Sequence, residues 1–331
     1  MRVLVTGATG FIGGALASLL AARGDRVRAL VRSASRTAPL EALDVELARG
    51  DVADPASLRA AVEGCQAVVH LAGAVKALRD RDLFQANGEG TRHLVAACVA
   101  APARPRLVYV SSLAAAGPSP SGRPRTEDDP AAPVSRYGES KLAGERAVRL
   151  AAGAIAASIV RPPVVYGPGD KELMPQLLRM ARLGLVVRAG SQEKKFSVVH
   201  VADLCQGILD VLDRGLPVGA AGGEGTYFFE DGADRSWDEI ALAACDALGR
   251  HARVLALPEV VSTAAAAAAS ALSALTRRPS VLSLDKLREI RETAWTCSSA
   301  RARRELGWAP RFALREGMAD AVRWFQARGM A

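Results

Sequence analysis

Val3–Gly14, VLVTGATGFIGG, runs from an apolar segment into glycines at positions 7, 10 and 13. Val3, Leu4 and Val5 read as a buried strand, and Phe11, Ile12, Leu16, Leu19 and Leu20 then recur at helical spacing. Strand, glycine turn and helix form the context in which a dinucleotide-binding fingerprint carries meaning. Gly7 permits the tight exit from the strand, Gly10 lets backbone approach a pyrophosphate, and Gly13 lets the helix pack closely on the sheet. The helix start offers free N–H groups near Phe11 and Ile12 and the positive end of its dipole. Gly7, Thr9, Gly10, Phe11, Ile12 and Gly13 are therefore the expected phosphate-binding residues. The spacing is G-x-x-G-x-x-G, and a glycine-rich turn of any α/β protein is the competing reading.

Bulk properties narrow the field. A chain of 331 residues accommodates one large α/β domain with a substrate-binding appendage, or two intimate domains. Half the residues are hydrophobic and 24% are charged, an ordinary globular mixture. The net charge of +8 suits an anionic cofactor, whereas aromatics at 5% with no interleaved basic run argue against nucleic acid. Cys65, Cys98, Cys205, Cys245 and Cys297 are scattered, without C-x-x-C or histidines at metal spacing. Free thiols, a reducing cytoplasmic setting and no metal are expected. Residue 3 already opens a core strand, so no signal peptide is expected. Val260–Leu275 is mostly alanine and interrupted by Ser262, Thr263, Ser270 and Ser273. It reads as a helix of the substrate side rather than a membrane span.

Along the chain, a second strand, Arg26–Val31, ends at Arg32, with Arg36 following. No carboxylate stands there to bind ribose hydroxyls. Arg32 offers a planar fork for an additional phosphate, so NADP is expected, with NAD possible and a solvated loop arginine as the alternative. A third strand, Val45–Ala48, leads to Asp51 and Val52, placed to meet adenine. Asp54-Pro55 starts a helix. The strand Ala67–His70 runs into Leu71-Ala72-Gly73, where backbone can approach a ligand, and His70 reads as a packed strand residue. Asn87–Thr91 begins or interrupts a long helical region. The strand Leu107–Val110 delivers Ser111 and Ser112 to the carboxyl edge of the sheet, where ligands of open parallel sheets bind. Residues 117–133, rich in Pro, Ser and Gly, suggest a mobile flap. Ser135 caps a helix carrying Tyr137 and Lys141. After the strand Ala156–Val160, Pro162 and Pro163 stop the ladder at the cofactor end, followed by Val164. Later elements are expected at Leu173–Leu183, Phe196–Val201, Ala202–Asp213, Tyr227–Phe229, Trp237–Leu248, Ala300–Leu306 and Leu314–Ala327.

Tyr137 and Lys141 are one helical turn apart and share a face. A free phenol has a pKa of about 10, too high for acid–base work at neutral pH. A neighbouring ammonium and the positive nicotinamide are expected to lower it, so that the phenol exchanges a proton with a carbonyl oxygen that Ser112 also holds.

With these motifs the chain resembles the extended short-chain dehydrogenase/reductases. The matching segments are TGATGFIGG at 6–14, Gly50-Asp51-Val52, His70–Gly73, Asn87–Thr91, Val110-Ser111-Ser112, Tyr137–Lys141, Arg161-Pro162-Pro163 with Tyr166–Gly169, and Leu306–Pro310. The resemblance implies a doubly wound parallel sheet of Rossmann type in residues 1–168. A smaller, mostly helical substrate-binding part occupies 169–331, with residues near 226–230 returning to the sheet. It also implies that Ser112, Tyr137 and Lys141 form the catalytic set, that Lys141 holds the nicotinamide ribose, and that the protein is a homodimer. Sugar-nucleotide members commonly carry asparagine where this chain has Val164, which argues against a nucleotide sugar. VRALVR at 27–32, PSVLSLDKLREI at 279–290 and Ala294-Trp295 look like the dihydroflavonol-reductase-like and 3β-hydroxysteroid-dehydrogenase-like branch. The expected function is an NADP(H)-dependent ketoreductase or alcohol dehydrogenase acting on a small, fairly apolar substrate. A sugar-nucleotide epimerase or dehydratase with bound NAD and a non-catalytic NADP-binding sensor are the alternatives.

Overall fold

The computed structural model describes every residue except 121, 191, 259, 262–263 and 265–283. Its strands are β1 (Arg2–Thr6), β2 (Arg26–Val31), β3 (Glu46–Arg49), β4 (Ala67–His70), β5 (Arg106–Val110), β6 (Ala157–Val160) and β7 (Val164–Tyr166). They continue with β8 (Leu185–Ala189), β9 (Lys195–Phe196), β10 (Val198–His200), β11 (Thr226–Tyr227), β12 (Arg235–Ser236), β13 (Arg253–Leu257) and β14 (Ala294–Trp295). Seven of them form one parallel sheet in the order β11-β6-β5-β4-β1-β2-β3. Such strands are covered on both faces, which is why they read as continuous apolar runs.

Alternation of side chains divides the core. Val3 and Val5 of β1 and Val108 and Val110 of β5 face one layer, shared with Leu16 and Leu20 and with Leu204 and Ile208. Leu4, Leu107 and Tyr109 face the other, shared with Leu58, Leu94 and Val148. The helices Phe11–Ala22 and Val201–Arg214 cover the first face; Pro55–Val62, Gly90–Ala100 and Arg136–Leu150 cover the second. β1 lies between β4 and β2, so the strand order reverses there and opens a crevice at the carboxyl edge.

A third cluster, including Met174, Leu177, Ile240, Leu314 and Met318, joins helices of the C-terminal half. That half holds small sheets, β10-β7, β12-β9-β14 and β13-β8, whose partners are far apart in sequence. β11 pairs in parallel with β6, Thr226 beside Ile159, and extends the large sheet.

Several expectations are corrected. β3 lies one residue later than Val45–Ala48. The expected extended piece Phe196–Val201 divides into β9 and β10, because Lys195 and Phe196 pair with β12 and β14 while Val198–His200 pairs with β7. Val201 already belongs to the next helix. β7, β8 and β13 are not among the expected strands; their ladders to β10 and to each other define them. Residues 117–133 are not a free flap. Ser119 and Arg125 donate backbone N–H groups to Ala294 and Thr296 at 2.9 and 3.0 Å, and the buried Arg125 guanidinium binds the Pro118 and Pro130 carbonyls. Of the expected helix Val260–Leu275, most lies outside the described residues, as do residues 279–283 of the later matching segment. No helix among the described residues is long and apolar enough to cross a membrane.

Candidate active site

The glycine turn behaves as its spacing requires. Gly7 has φ +74°, and a Cβ there would lie 2.8 Å from the Ala72 nitrogen. A Cβ on Gly13 would lie 2.2 Å from the Gly7 oxygen, so any side chain at 13 lifts the helix off the turn. The helix Phe11–Ala22 starts with no side-chain cap and no acidic residue in its first turn. Unsatisfied N–H groups and the dipole's positive end therefore favour an anion.

A cleft of about 570 Å³ opens beside this turn. Gly7, Thr9, Gly10, Arg32, Asp51, Val52, Leu71, Ala72 and Gly73, all expected cofactor residues, line it. Leu30, Ser35, Ala53 and Gln85, which the sequence did not single out, join them. Asp51 accepts the Ala53 N–H at 2.9 Å, and Ser35 accepts the Arg32 backbone N–H at 3.2 Å. Arg32 is exposed at the cleft, whereas Arg36, also exposed, does not line it. Phe11, Ile12 and Gly13 belong to the helix start rather than the cleft wall. Pro162 accepts a hydrogen bond from the Leu113 N–H at 2.8 Å. Val164 begins β7 and donates its N–H to Ser197 at 3.3 Å. A glycine turn, an uncapped helix and an arginine at the end of β2 suit a dinucleotide.

The catalytic candidates meet where β5 ends. Ser112 caps the short helix Leu113–Ala116 through the Ala114 N–H, at 3.1 Å. Tyr137 and Lys141 project from the helix Arg136–Leu150, whose first turn Ser135 caps through the Gly138 N–H at 3.0 Å. Burial pushes the Tyr137 phenol up to about 12; its hydrogen bond with the Ser112 hydroxyl acts downward and the Glu289 carboxylate acts upward. Lys141 is not among the charges acting on this phenol, so the expected lowering falls to the nicotinamide when the cofactor is bound. The lysine Nζ donates to the Val110 carbonyl at 2.8 Å and lies 4.7 Å from the centre of the Tyr109 ring. Burial holds the ammonium down to about 8, against the opposing pull of Glu145.

Nζ of Lys141 is 3.7 Å from where a Gly73 Cβ would stand, so the lysine borders the nucleotide cleft as well as the catalytic helix. Asn87 joins the same two regions. Its Oδ1 accepts the Ala74 N–H and its Nδ2 donates to the Ala74 carbonyl and to Ser140 Oγ, each at 2.8 Å. Asn87 sits in a π-helical turn, Gln85–Glu89, which aims it inward. His70 is fully buried between Thr6 and Thr91 hydroxyls, at 2.6 and 3.0 Å. It is packing, as its strand position suggested.

Two further groups carried no sequence signal of their own. Glu145, almost fully buried, accepts two bonds from Arg161, at 2.8 and 2.6 Å, and one from Ser111 at 2.6 Å. This pair clamps the ends of β5 and β6 beneath Ser112. Glu289, on the helix Leu284–Arg291, accepts the Ser135 hydroxyl at 2.6 Å. Beside Tyr137 lies an apolar cluster of Leu113, Ala114, Phe228, Trp295 and Cys297, with Val134 and Phe196 packed against it.

Comparison with known proteins gives the family. The model of the NAD dependent epimerase/dehydratase family matches residues 3–220. A ceramide reductase of Caulobacter vibrioides is 36% identical over 327 residues, covering 99% of this chain and 95% of the relative. A putative dihydroflavonol 4-reductase of Synechocystis is 30% identical, covering 98% and 94%. The crystal structure of a DesIV double mutant, a dTDP-glucose 4,6-dehydratase from Streptomyces venezuelae with NAD and DAU bound, superposes with a TM-score of 0.78 at 25% identity. It covers 99% of this chain and 98% of its own.

Proposed function

This chain belongs to the NAD-dependent epimerase/dehydratase family, as an NAD(P)-dependent oxidoreductase of the extended short-chain dehydrogenase/reductase type, and we propose that it reduces a ketone on a fairly apolar substrate with NADPH. When bound, the nicotinamide supplies the hydride. The chain's own residues hold the carbonyl and deliver the proton. The observation that carries this reading is the Tyr137–Ser112 hydrogen bond beside an apolar cluster, with Lys141, one turn along the same helix, approaching Gly73 of the cleft.

Each residue has a physical part. Tyr137, kept protonated by burial, donates its proton to the carbonyl oxygen as negative charge develops there. Ser112 holds the same oxygen by hydrogen bonding. Lys141 places a cation at the cleft floor beside Gly73, where it holds the cofactor ribose. Gly7, Thr9, Gly10 and the first turn at Phe11 and Ile12 take the pyrophosphate; Asp51 and Val52 take the adenine. Arg32 takes the additional phosphate of NADP, which favours NADP over NAD. Leu113, Phe228 and Trp295 exclude water from the reacting carbonyl. The ceramide reductase relative supports a lipophilic ketone. Residues 1–168 act as the nucleotide-binding part and 169–331 as the substrate-binding part. Assembly as a homodimer through the helices flanking the tyrosine–lysine motif, in the cytoplasm, belongs to the same reading.

The test is NADPH oxidation across a panel of long-chain and cyclic ketones, with Tyr137→Phe as control. Ketone-dependent turnover that the variant loses supports the proposal. Tightly retained NAD together with nucleotide-sugar turnover overturns it in favour of an epimerase or dehydratase.

A further inference from the structure

The helix Leu284–Arg291 lies more than 130 residues beyond the catalytic helix in sequence, yet its Glu289 reaches the first turn of that helix. Ser135 Oγ accepts the Gly138 N–H at 3.0 Å and donates to Glu289 Oε1 at 2.6 Å. Both side chains are buried, and a charge-assisted bond of this length away from water is a strong one. Trp295 Nε1 donates to the Glu289 carbonyl at 2.9 Å, and Lys194 Nζ binds the carbonyl of Ile290. The carboxyl-terminal end of the helix that carries Glu289 is therefore held from β14 and from the segment before β9.

We propose that Glu289 is a positioning residue for Tyr137, holding the first turn of the catalytic helix through the Ser135 hydroxyl and setting a carboxylate against the phenol's apolar pocket. The inference rests on the reading of Tyr137 as proton donor. A negative charge fixed beside a phenol opposes phenolate formation, so Glu289 favours the form that gives a proton to a carbonyl. Among the described residues, charged or titratable groups near the pair include Lys141, turned toward Val110, the buried Tyr109 phenol, Arg136, paired with Asp80 and Glu139, and Lys194, whose Nζ binds the Ile290 carbonyl.

Glu289→Gln keeps an acceptor for Ser135 and removes the charge; Glu289→Asp keeps the charge. The chain has four tyrosines, so biosynthetic 3-fluorotyrosine with fluorine NMR resolves the Tyr137 signal, identified by its loss in Tyr137→Phe. In the cofactor-free protein, Glu289→Gln moves the Tyr137 titration to lower pH by about one unit, and Glu289→Asp leaves it closer to wild type. A wild-type midpoint in Glu289→Gln overturns the proposal. Ser135→Ala removes the tether together with the Gly138 cap and leaves the Glu289 charge in place: kcat falls several-fold with KM unchanged and the midpoint stays near wild type. Wild-type kcat in that variant also overturns the proposal, and this measurement stands if Glu289→Gln fails to fold. The titration requires neither cofactor nor turnover, so it reads Glu289 separately from any failure of the ketone panel.

Discussion

The half that carries the glycine turn and the C-terminal half of this molecule are built on opposite principles. Along the first, each ligand-facing segment follows its strand within a few residues: Gly7 after β1, Arg32 after β2, Asp51 after β3, Gly73 after β4 and Ser112 after β5. The second is assembled from remote pieces. β9 takes β12 and β14 as neighbours, and β8 takes β13. A parallel sheet reversing its order at one point creates a crevice from local turns alone. A substrate wall has no such generator and depends on long-range docking. Tyr137 stands at the seam, with its helix tied to the nucleotide side by Asn87 and Ser140 and to the substrate side by Ser135 and Glu289.

The sharpest break in that comparison comes from removing the seam's chemistry alone. Tyr137→Phe lowers kcat about 10²–10⁴-fold while cofactor affinity, followed by fluorescence titration, stays at the wild-type value. Comparable losses of both would join the two halves functionally. Arg32→Ala tests the nucleotide half by itself. NADPH binding weakens by about 1.5–3 kcal/mol, NADH binding does not change, and the substrate KM is untouched; calorimetry with both cofactors reads the difference.

Gly13→Ala challenges the packing beneath the turn. Its Cβ would meet the Gly7 oxygen at 2.2 Å, so the helix shifts at a cost of about 1–3 kcal/mol. Denaturant unfolding measures that loss, and cofactor affinity declines with it. The smallest effect is on pH. Burial brings the Lys141 ammonium down to about 8, so the charge is present below that pH and is lost as pH rises through it. Affinity for the anionic cofactor should fall a few-fold across that range, and Lys141→Met should flatten the curve.

Legibility in the sequence follows the same division. Asp54 with Pro55 and Ser135 with the helix after it announce their caps within four residues, and both caps form. The residues lining the cleft were readable because glycine at a strand end has a local steric cause. The surroundings of Tyr137 were not readable. A phenol one turn from a lysine suggests a lowered pKa, but the lysine turns to Val110 while Glu289 arrives from a distant helix. Arg36, four residues after Arg32, stands exposed outside the cleft lining.

By itself, the order of residues determined the parallel sheet, the glycine turn, the helix start that suits an anion and the pairing of Tyr137 with Lys141. These depend on backbone sterics and on periodicities of a few residues. Only the tertiary structure decided which charge acts on the phenol, that Ser119 and Arg125 are fastened to β14 and its continuation, and which apolar side chains pack around Tyr137. Coulombic and packing energies depend on distance in space, and the sequence separation of Ser135 from Glu289 says nothing about the 2.6 Å between their oxygens.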